Sequence, residues 1–190
     1  MNDIEFMMSF VAVLYGLALA NVANNMADAV RARHDLPIGF IPWAISFYIA
    51  SSAIVSYGLF YLGRQENQFD IASISALLAA ILPYIFVSRL LYPEHKDRWN
   101  SVEDYYLANQ KLILGVMAIA PFVSIFNLLY TIDDAHILEL TINVFIFAGM
   151  PLLVMLALTQ TDKLRWHQAG FGFLILHRIA MLIWLSIEIG

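Results

Sequence analysis

Residues 172–190 read GFLILHRIAMLIWLSIEIG, an apolar stretch that is interrupted near its middle by His177 and Arg178. About 20 apolar residues in a helix cross the ~30 Å hydrocarbon layer of a bilayer. Because a helix hydrogen-bonds its own backbone, it is one of the few structures that lipid tolerates. Together with the residues before it, this stretch predicts a transmembrane helix over residues 167–189.

The composition indicates that the rest of the chain has the same character. Of its 190 residues, 61% are hydrophobic and 13% are charged, and the mean hydropathy is +0.73. A soluble domain carries about 25% charged residues, so the composition excludes the soluble class. We therefore expect a single transmembrane domain over residues 1–190.

Six apolar segments follow one another along the chain, and polar stretches separate them. The first segment follows the acidic leader MNDIEF and not the positively charged start of a signal peptide, so we expect a retained helix. The pattern predicts an all-α polytopic transmembrane bundle of six helices with short loops. The predicted spans are residues 4–30, 40–62, 71–91, 105–130, 138–158 and 167–189.

Lysine and arginine concentrate in the first, third and fifth connections, which lie on one side of a six-span protein. The positive-inside rule assigns this side to the cytoplasm, so we expect both termini on the non-cytoplasmic side. The opposite connections carry only Arg64. The basic residues on the predicted cytoplasmic side are Arg31, Arg33, Arg89, Lys96, Arg98, Lys163 and Arg165.

Arg178 is the first candidate for a functional residue. A cation at the bilayer centre costs about 2.5–3.5 kcal/mol on insertion scales, so we expect a partner for it inside the bundle. Asp28 and Glu188 lie near the ends of their spans, on the order of 15 Å away along the membrane normal. The remaining partners are backbone carbonyls, tyrosine hydroxyls, water or an anion. Arg178 therefore either ties helices together or handles a ligand.

His177 is the other titratable side chain at this depth. Adjacent residues of a helix point about 100° apart, so His177 and Arg178 need not share an environment. Two interpretations stay open for His177. It takes part in a proton relay, or it is a neutral histidine that hydrogen-bonds a carbonyl.

Three prolines, Pro83, Pro121 and Pro151, fall near the middle of the third, fourth and fifth spans. Irregular backbone at this depth persists where it is buried in protein or lines a wet cavity. The prolines therefore predict a cavity beside Arg178, or kinks that only shape packing. Each removes one helical hydrogen bond, and the carbonyls freed are nominally those of Ala79, Met117 and Phe147.

The first span carries small residues at four-residue spacing, namely Ala12, Gly16 and Ala20. Small residues at this spacing let a second helix approach closely. We therefore expect this face to pack against another helix, most simply that of a second copy in a homo-oligomer.

A polar row, Asn21, Asn25 and Asp28, occupies an adjoining face of the same helix. Such a row either lines a water-filled vestibule or forms interhelical hydrogen bonds, which contribute on the order of 0.6 kcal/mol each. Only the first interpretation makes these residues candidates for the same pathway as Arg178.

The sequence contains none of the common signatures of enzymes or cofactor proteins. It has no cysteine, which excludes disulfides, iron–sulfur clusters and cysteine nucleophiles. It has no HExxH, GxSxG, Walker A or GxGxxG motif. We therefore expect no enzyme activity, no cofactor and no metal site. The net charge of −5 is unsuited to nucleic acid, so the expected partners are membrane lipids, a second copy or another membrane protein.

The order of the motifs resembles a known type of protein. A polar first helix ends in Arg31 and Arg33, Trp43 opens the second, and the third carries PYxxxxRLLYP from Pro83 to Pro93. An acidic stretch then leads into Asp104-Tyr105-Tyr106. This layout resembles a diffuse group of small six-helix bacterial inner-membrane proteins that have no assigned activity. The resemblance implies a multi-pass inner-membrane location and nothing about chemistry.

Two function hypotheses from different classes follow. The first is a small channel or transporter-like protein that handles an anion or an anionic head group near Arg178, because an unpaired guanidinium favours anions. The second is a non-catalytic accessory subunit or lipid-binding scaffold of a larger membrane complex, which the short loops and the small-residue face favour.

Overall fold

The computed structural model describes residues 3–62, 71–130 and 137–189, and every regular element in these ranges is helical. The predicted all-α bundle of six helices is therefore confirmed. Five of the helices have segments long and apolar enough to cross a membrane, and α3 contributes the shorter apolar segment Leu78–Leu90. The helices are α1 (Asp3–Arg31), α2 (Phe40–Leu62), α3 (Ile71–Leu90), α4 (Val102–Tyr130), α5 (Ile137–Val144, Phe145–Gly149 and Met150–Leu158) and α6 (Leu164–Ile189).

Two helices begin three residues earlier than the apolar segments that predicted them. Helix α4 begins at Val102 because Ser101 Oγ accepts a hydrogen bond of 3.0 Å from the Asp104 N–H, which caps a polar first turn. Helix α6 begins at Leu164, so Arg165 and its neighbours before His167 are helical as well. Hydrophobicity marks the membrane-embedded part of a helix and misses its polar ends.

The helices form a closed ring in the order α1, α3, α4, α5, α6, α2, and α2 also contacts α3 and α4 across the interior. The most extensive contacts join α2 to α6 and α3 to α4. Gly58 permits the first of these contacts, since a Cβ there would lie 2.2 Å from a methyl carbon of Leu185. The main core lies around α2 and α4, where Tyr48 and Tyr106 are fully buried.

Residues 32–39, 91–101 and 159–163 connect helices at one end of the bundle, which we call the basic end. The first connection is fastened to the start of α4 there, because Val102 N–H donates to Pro37 O at 2.9 Å. Glu103 Oε1 accepts the first backbone N–H groups of α2, from Phe40 (2.8 Å) and Ile41 (3.1 Å). Gly39 precedes them at φ 73°, and Glu103 occupies the space that a Cβ would fill.

Candidate functional site around Arg178

Arg178 lies on the face of α6 that packs against α2, and only 6% of it is exposed. Its Nη2 donates a hydrogen bond of 3.0 Å to the hydroxyl oxygen of Tyr48 on α2. Its Cζ also lies 4.9 Å from the centre of the Tyr48 ring, within the range of a cation–π contact. Of the partners that the sequence left open, the structure therefore assigns a tyrosine hydroxyl to Arg178.

Two further polar side chains, Tyr84 and Ser52, complete what we call the Arg178 cluster: Arg178, Tyr48, Tyr84 and Ser52. The ring centres of Tyr48 and Tyr84 are 6.3 Å apart in an edge-on arrangement. The Tyr84 hydroxyl lies within electrostatic reach of Arg178 and within interaction distance of Ser52. The cluster thus joins α2, α3 and α6 at one level of the bundle.

Arg178 Nε and Ser52 Oγ are buried, and neither makes a hydrogen bond among the described residues, although the Ser52 and Tyr84 hydroxyls lie within interaction distance. Buried polar atoms are almost always hydrogen-bonded, because leaving one unpaired costs about 1–3 kcal/mol. The unpaired Arg178 Nε can therefore donate to an acceptor at this place. The Tyr48 oxygen accepts from Arg178, and the Tyr48 hydroxyl also interacts with that of Tyr84.

No carboxylate balances the Arg178 charge among the residues that the structure describes. Asp28 forms an ion pair of 2.9 Å with Arg31, and both of these side chains are well exposed. Glu188 is exposed near the far end of α6. The absence of an acid at the depth of Arg178, which the sequence predicted, holds in this part of the chain. A buried cation surrounded by hydroxyls is a site that suits an anion.

His177 is half-buried and faces α5, where its Nε2 donates a hydrogen bond of 2.8 Å to Ile146 O. Because a carbonyl can only accept, Nε2 carries a proton. The other ring nitrogen, Nδ1, is buried without a partner. The carbonyl interpretation of His177 agrees with this geometry, and the ring ties α6 to α5.

The acceptor for His177 arises from an irregular turn. Residues Phe145–Gly149 form a π-helix, in which Met150 N–H donates to Phe145 O. In this register the next donor, for Ile146 O, would be residue 151, but Pro151 has no N–H. The carbonyl left without a helical donor is therefore that of Ile146, and not that of Phe147 as a regular helix would require.

All three prolines are buried in the bundle: Pro83, Pro121 and Pro151. The hydrogen bond that Arg178 donates goes to Tyr48 and not to a carbonyl freed by proline. Two cavities lie near the basic end of the described bundle. Neither is lined by Arg178 or by a proline of this trio. Pro83 and Pro121 lie inside continuous helices, and Pro151 follows a π-turn.

The polar row of α1 forms interhelical hydrogen bonds. Asn21 Nδ2 donates to Ser88 Oγ (2.6 Å) and to Ile85 O (3.2 Å), and Asn25 Nδ2 donates to Ser88 O (3.0 Å). These bonds fasten α1 to α3. Asp28, one turn further along, is exposed and is not part of the Arg178 cluster.

The small residues of α1, Ala12, Gly16 and Ala20, are all exposed on the outside of the bundle. A Cβ at Gly16 would meet no atom within 4 Å. Among the described residues of one copy, this face therefore does not pack against another helix.

The sequence missed the three hydroxyl side chains of the cluster, Tyr48, Ser52 and Tyr84. A signal was present, because the apolar helix α2 carries seven hydroxyl side chains, at Ser46, Tyr48, Ser51, Ser52, Ser56, Tyr57 and Tyr61. In the described residues no group of histidine and carboxylate side chains is arranged to hold a metal ion. Comparison with known proteins finds no matching family model, no matching curated protein and no matching solved structure.

Proposed function

We propose that this protein binds a small anion or an anionic head group at the Arg178 cluster, and that it serves as a channel or transporter for it. The apolar helices are compatible with an integral membrane protein. The observation that carries the proposal is the Arg178 guanidinium, which is 6% exposed, has no carboxylate partner among the described residues and keeps an unpaired Nε.

Electrostatics favours a bound anion over an empty cluster. Desolvating a lone cation costs several kcal/mol, and the aromatic ring and hydroxyl of Tyr48 offset only part of it. An anion would supply the missing opposite charge and would accept hydrogen bonds from Arg178 Nε and Ser52 Oγ. Arginine is suited to this task because its planar fork donates several hydrogen bonds in fixed directions.

A purely structural role for Arg178 makes a different prediction. Replacing a buried charge by an apolar side chain of similar volume is often neutral or stabilising, whatever ions are present. A ligand site instead makes the stability of the wild type depend on the anion, because a ligand at 100 times its Kd stabilises the folded state by about 2.7 kcal/mol.

The test is thermal unfolding of the purified protein in detergent, in sodium chloride, nitrate or phosphate against gluconate at equal ionic strength. We expect the wild type to unfold at a higher temperature in at least one small anion. Arg178→Met should unfold at the same temperature in all four salts. Arg165→Met is the matched control, since Arg165 is an exposed residue of the same helix, and it should keep the wild-type dependence.

Transport is tested separately in liposomes that contain an anion-sensitive dye. We expect anion flux with the wild type and with Arg165→Met, and none above empty liposomes with Arg178→Met. Equal flux with Arg178→Met and the wild type would remove Arg178 from the mechanism. Binding without flux in the wild type would leave an anion-binding membrane protein and would reject the channel or transporter.

The exposed small-residue face supports a second candidate, an accessory subunit or scaffold that packs against a second copy or another membrane protein. Gly16 has open space where a Cβ would stand, so a partner helix can approach α1 closely. The test is the mass of the protein in mild detergent, with Gly16→Leu expected to reduce an oligomer to the monomer. Gly115→Leu is the control, because Gly115 also faces open space. A monomeric wild type without a copurifying chain would contradict this candidate.

The proposed location is the bacterial inner membrane, with the basic end in the cytoplasm and both termini outside. The charge distribution supports it through the positive-inside rule. Because the chain has no cysteine, single cysteines report accessibility without background. In intact cells, an impermeant thiol reagent should label Ser186→Cys near the C-terminus and leave His34→Cys unlabelled. The reverse pattern would overturn the orientation.

A further inference from the structure

We propose a second ligand site at the basic end, which takes a zwitterion that carries a phosphate and an ammonium group, as in phosphoethanolamine. A partly enclosed cavity of about 350 Å³ lies there between the last turns of α1, the end of α3 and the start of α4. Its volume falls in the range of small-molecule sites, about 300–1,000 Å³. The site is separate from the Arg178 cluster and shares no lining residue with it.

One wall of the cavity is held in place by the hydrogen bonds between α1 and α3. Asn25, which lines the cavity, donates through Nδ2 to Ser88 O at 3.0 Å, and Ser88 is buried. Asn21 Nδ2 donates a second hydrogen bond to the same serine, to its Oγ at 2.6 Å. With its amide nitrogen engaged, Asn25 can present its Oδ1 to the cavity as an acceptor for an ammonium group.

The cavity contains one cation and two carboxylates: Arg89, Asp28 and Glu94. With the side chains that the structure describes, neither Arg89 nor Glu94 forms an ion pair, whereas Asp28 is paired with Arg31 at 2.9 Å. A free guanidinium and a free carboxylate on one cavity are complementary to a ligand with a negative and a positive group. Guanidinium binds phosphate through charge-assisted bonds, and carboxylate binds ammonium.

The rest of the lining is apolar and includes the buried side chains of Leu36, Pro93 and Val102. Tyr92 also lines the cavity, and burial raises the pKa of its phenol, so it stays neutral and adds no charge. The cavity lies where the apolar segments of α1 and α3 end, at Arg31 and Leu90. Apolar walls beside charged groups at this level suit the head group and glycerol of a phospholipid.

The same chemistry can come from an aminophospholipid or from free phosphoethanolamine. The test is native mass spectrometry of the purified full-length protein, titrated in detergent with short-chain phosphatidylethanolamine. Phosphatidylglycerol with the same chains serves as the probe that lacks the ammonium group, and free phosphoethanolamine serves as the soluble probe.

We expect phosphatidylethanolamine to bind the wild type at least about tenfold more tightly than phosphatidylglycerol does. Arg89→Gln and Glu94→Gln should each weaken this binding by about tenfold, the effect of one charge-assisted bond. Arg33→Gln is the matched control, because Arg33 is an exposed arginine of the basic end that does not line the cavity. Binding of free phosphoethanolamine that is also weakened by Arg89→Gln would assign the ligand to the soluble source.

The proposal is overturned if both lipids bind equally, if neither zwitterion binds, or if Arg89→Gln and Arg33→Gln lose the same affinity. Because Arg89 and Glu94 are exposed side chains, their substitution should leave the fold intact, which the unfolding temperature checks. Arg178→Met should keep the lipid affinity of the wild type, so the outcome does not depend on the anion site.

Discussion

Two buried polar regions of the molecule differ in how completely their hydrogen bonds are satisfied. In the Arg178 cluster, Arg178 Nε and Ser52 Oγ have no partner. In the His167 node, which comprises His167, Tyr106 and Thr161 near the basic end, His167 is fully buried and both of its ring nitrogens are engaged.

The bonds of the His167 node leave nothing for a ligand. His167 Nε2 donates to Thr161 O at 2.8 Å, since a carbonyl only accepts, and Nδ1 of the neutral ring accepts from the Tyr106 hydroxyl at 2.8 Å. The node thereby fastens the α5–α6 connection to α4. A satisfied buried network rigidifies a fold, whereas an unpaired donor beside a charge contributes no such restraint. The comparison separates a structural histidine from a candidate functional arginine.

The largest effect on stability is expected for His167→Ala. The substitution leaves a void in the core and removes the acceptor of the buried Tyr106 hydroxyl. We therefore expect the free energy of unfolding to fall by about 3 kcal/mol. Equilibrium unfolding with a denaturing detergent in mixed micelles measures this loss. His34→Ala, at an exposed histidine of the basic end, should change the stability by less than about 0.5 kcal/mol. Equal values for the two variants would show that the node does not stabilise the fold.

Tyr106→Phe should have the second largest effect. It keeps the ring and its edge-on contacts with His167 and Phe171, but it leaves His167 Nδ1 buried without a donor. We expect the free energy of unfolding to fall by about 1–2 kcal/mol in the same experiment. Tyr105→Phe, at the less buried neighbouring tyrosine, is the control and should be nearly neutral. If Tyr106→Phe left the free energy of unfolding unchanged, the hydrogen bonds of the His167 node would contribute no more to stability than the unpaired donors of the Arg178 cluster.

Arg178→Met should change the stability in gluconate by less than about 1 kcal/mol, in either direction, because it removes a cation that none of the described carboxylates balances. This is the sharpest contrast with His167→Ala, although both residues are buried. The same unfolding experiment in gluconate measures it. A loss as large as that of His167→Ala would identify Arg178 as a structural tie between α2 and α6.

The smallest effect is expected for Ser52→Ala. Its hydroxyl has no partner, so its removal in gluconate should cost about 0.5 kcal/mol or less. The neighbouring Ser51 is a matched control, since it is equally buried but donates to Phe47 O at 2.8 Å. We expect Ser51→Ala to cost more than Ser52→Ala in gluconate. In a small anion, only Ser52→Ala should reduce the anion-dependent gain in unfolding temperature, and the opposite order would contradict a ligand at Ser52.

The sequence predicted the helices because apolar segments of about 20 residues have few alternatives in a membrane. It also predicted that neither Asp28 nor Glu188 pairs with Arg178, since their depths follow from counting residues along helices. Both are properties of single helices. They require no knowledge of which helices are neighbours.

The partners of Arg178 and His177 could not be predicted in this way. Tyr48 meets Arg178 only because α2 and α6 pack closely, and that contact depends on Gly58 against Leu185. Ile146 O becomes an acceptor for His177 only because a π-turn precedes Pro151 and shifts the freed carbonyl by one residue. Such partners depend on packing between helices and on backbone register, which hydrophobic periodicity does not record.

The ring order of the helices has a consequence for biogenesis. The ring closes where α6 meets α2, and α6 follows α2 in the chain, so a ribosome completes α2 before it completes α6. Tyr48 is therefore already in the bilayer when Arg178 leaves the translocon. The Arg178 guanidinium therefore enters a membrane that already contains its acceptor, the Tyr48 hydroxyl. If α6 were expressed apart from α2, Arg178 would have to insert without this acceptor.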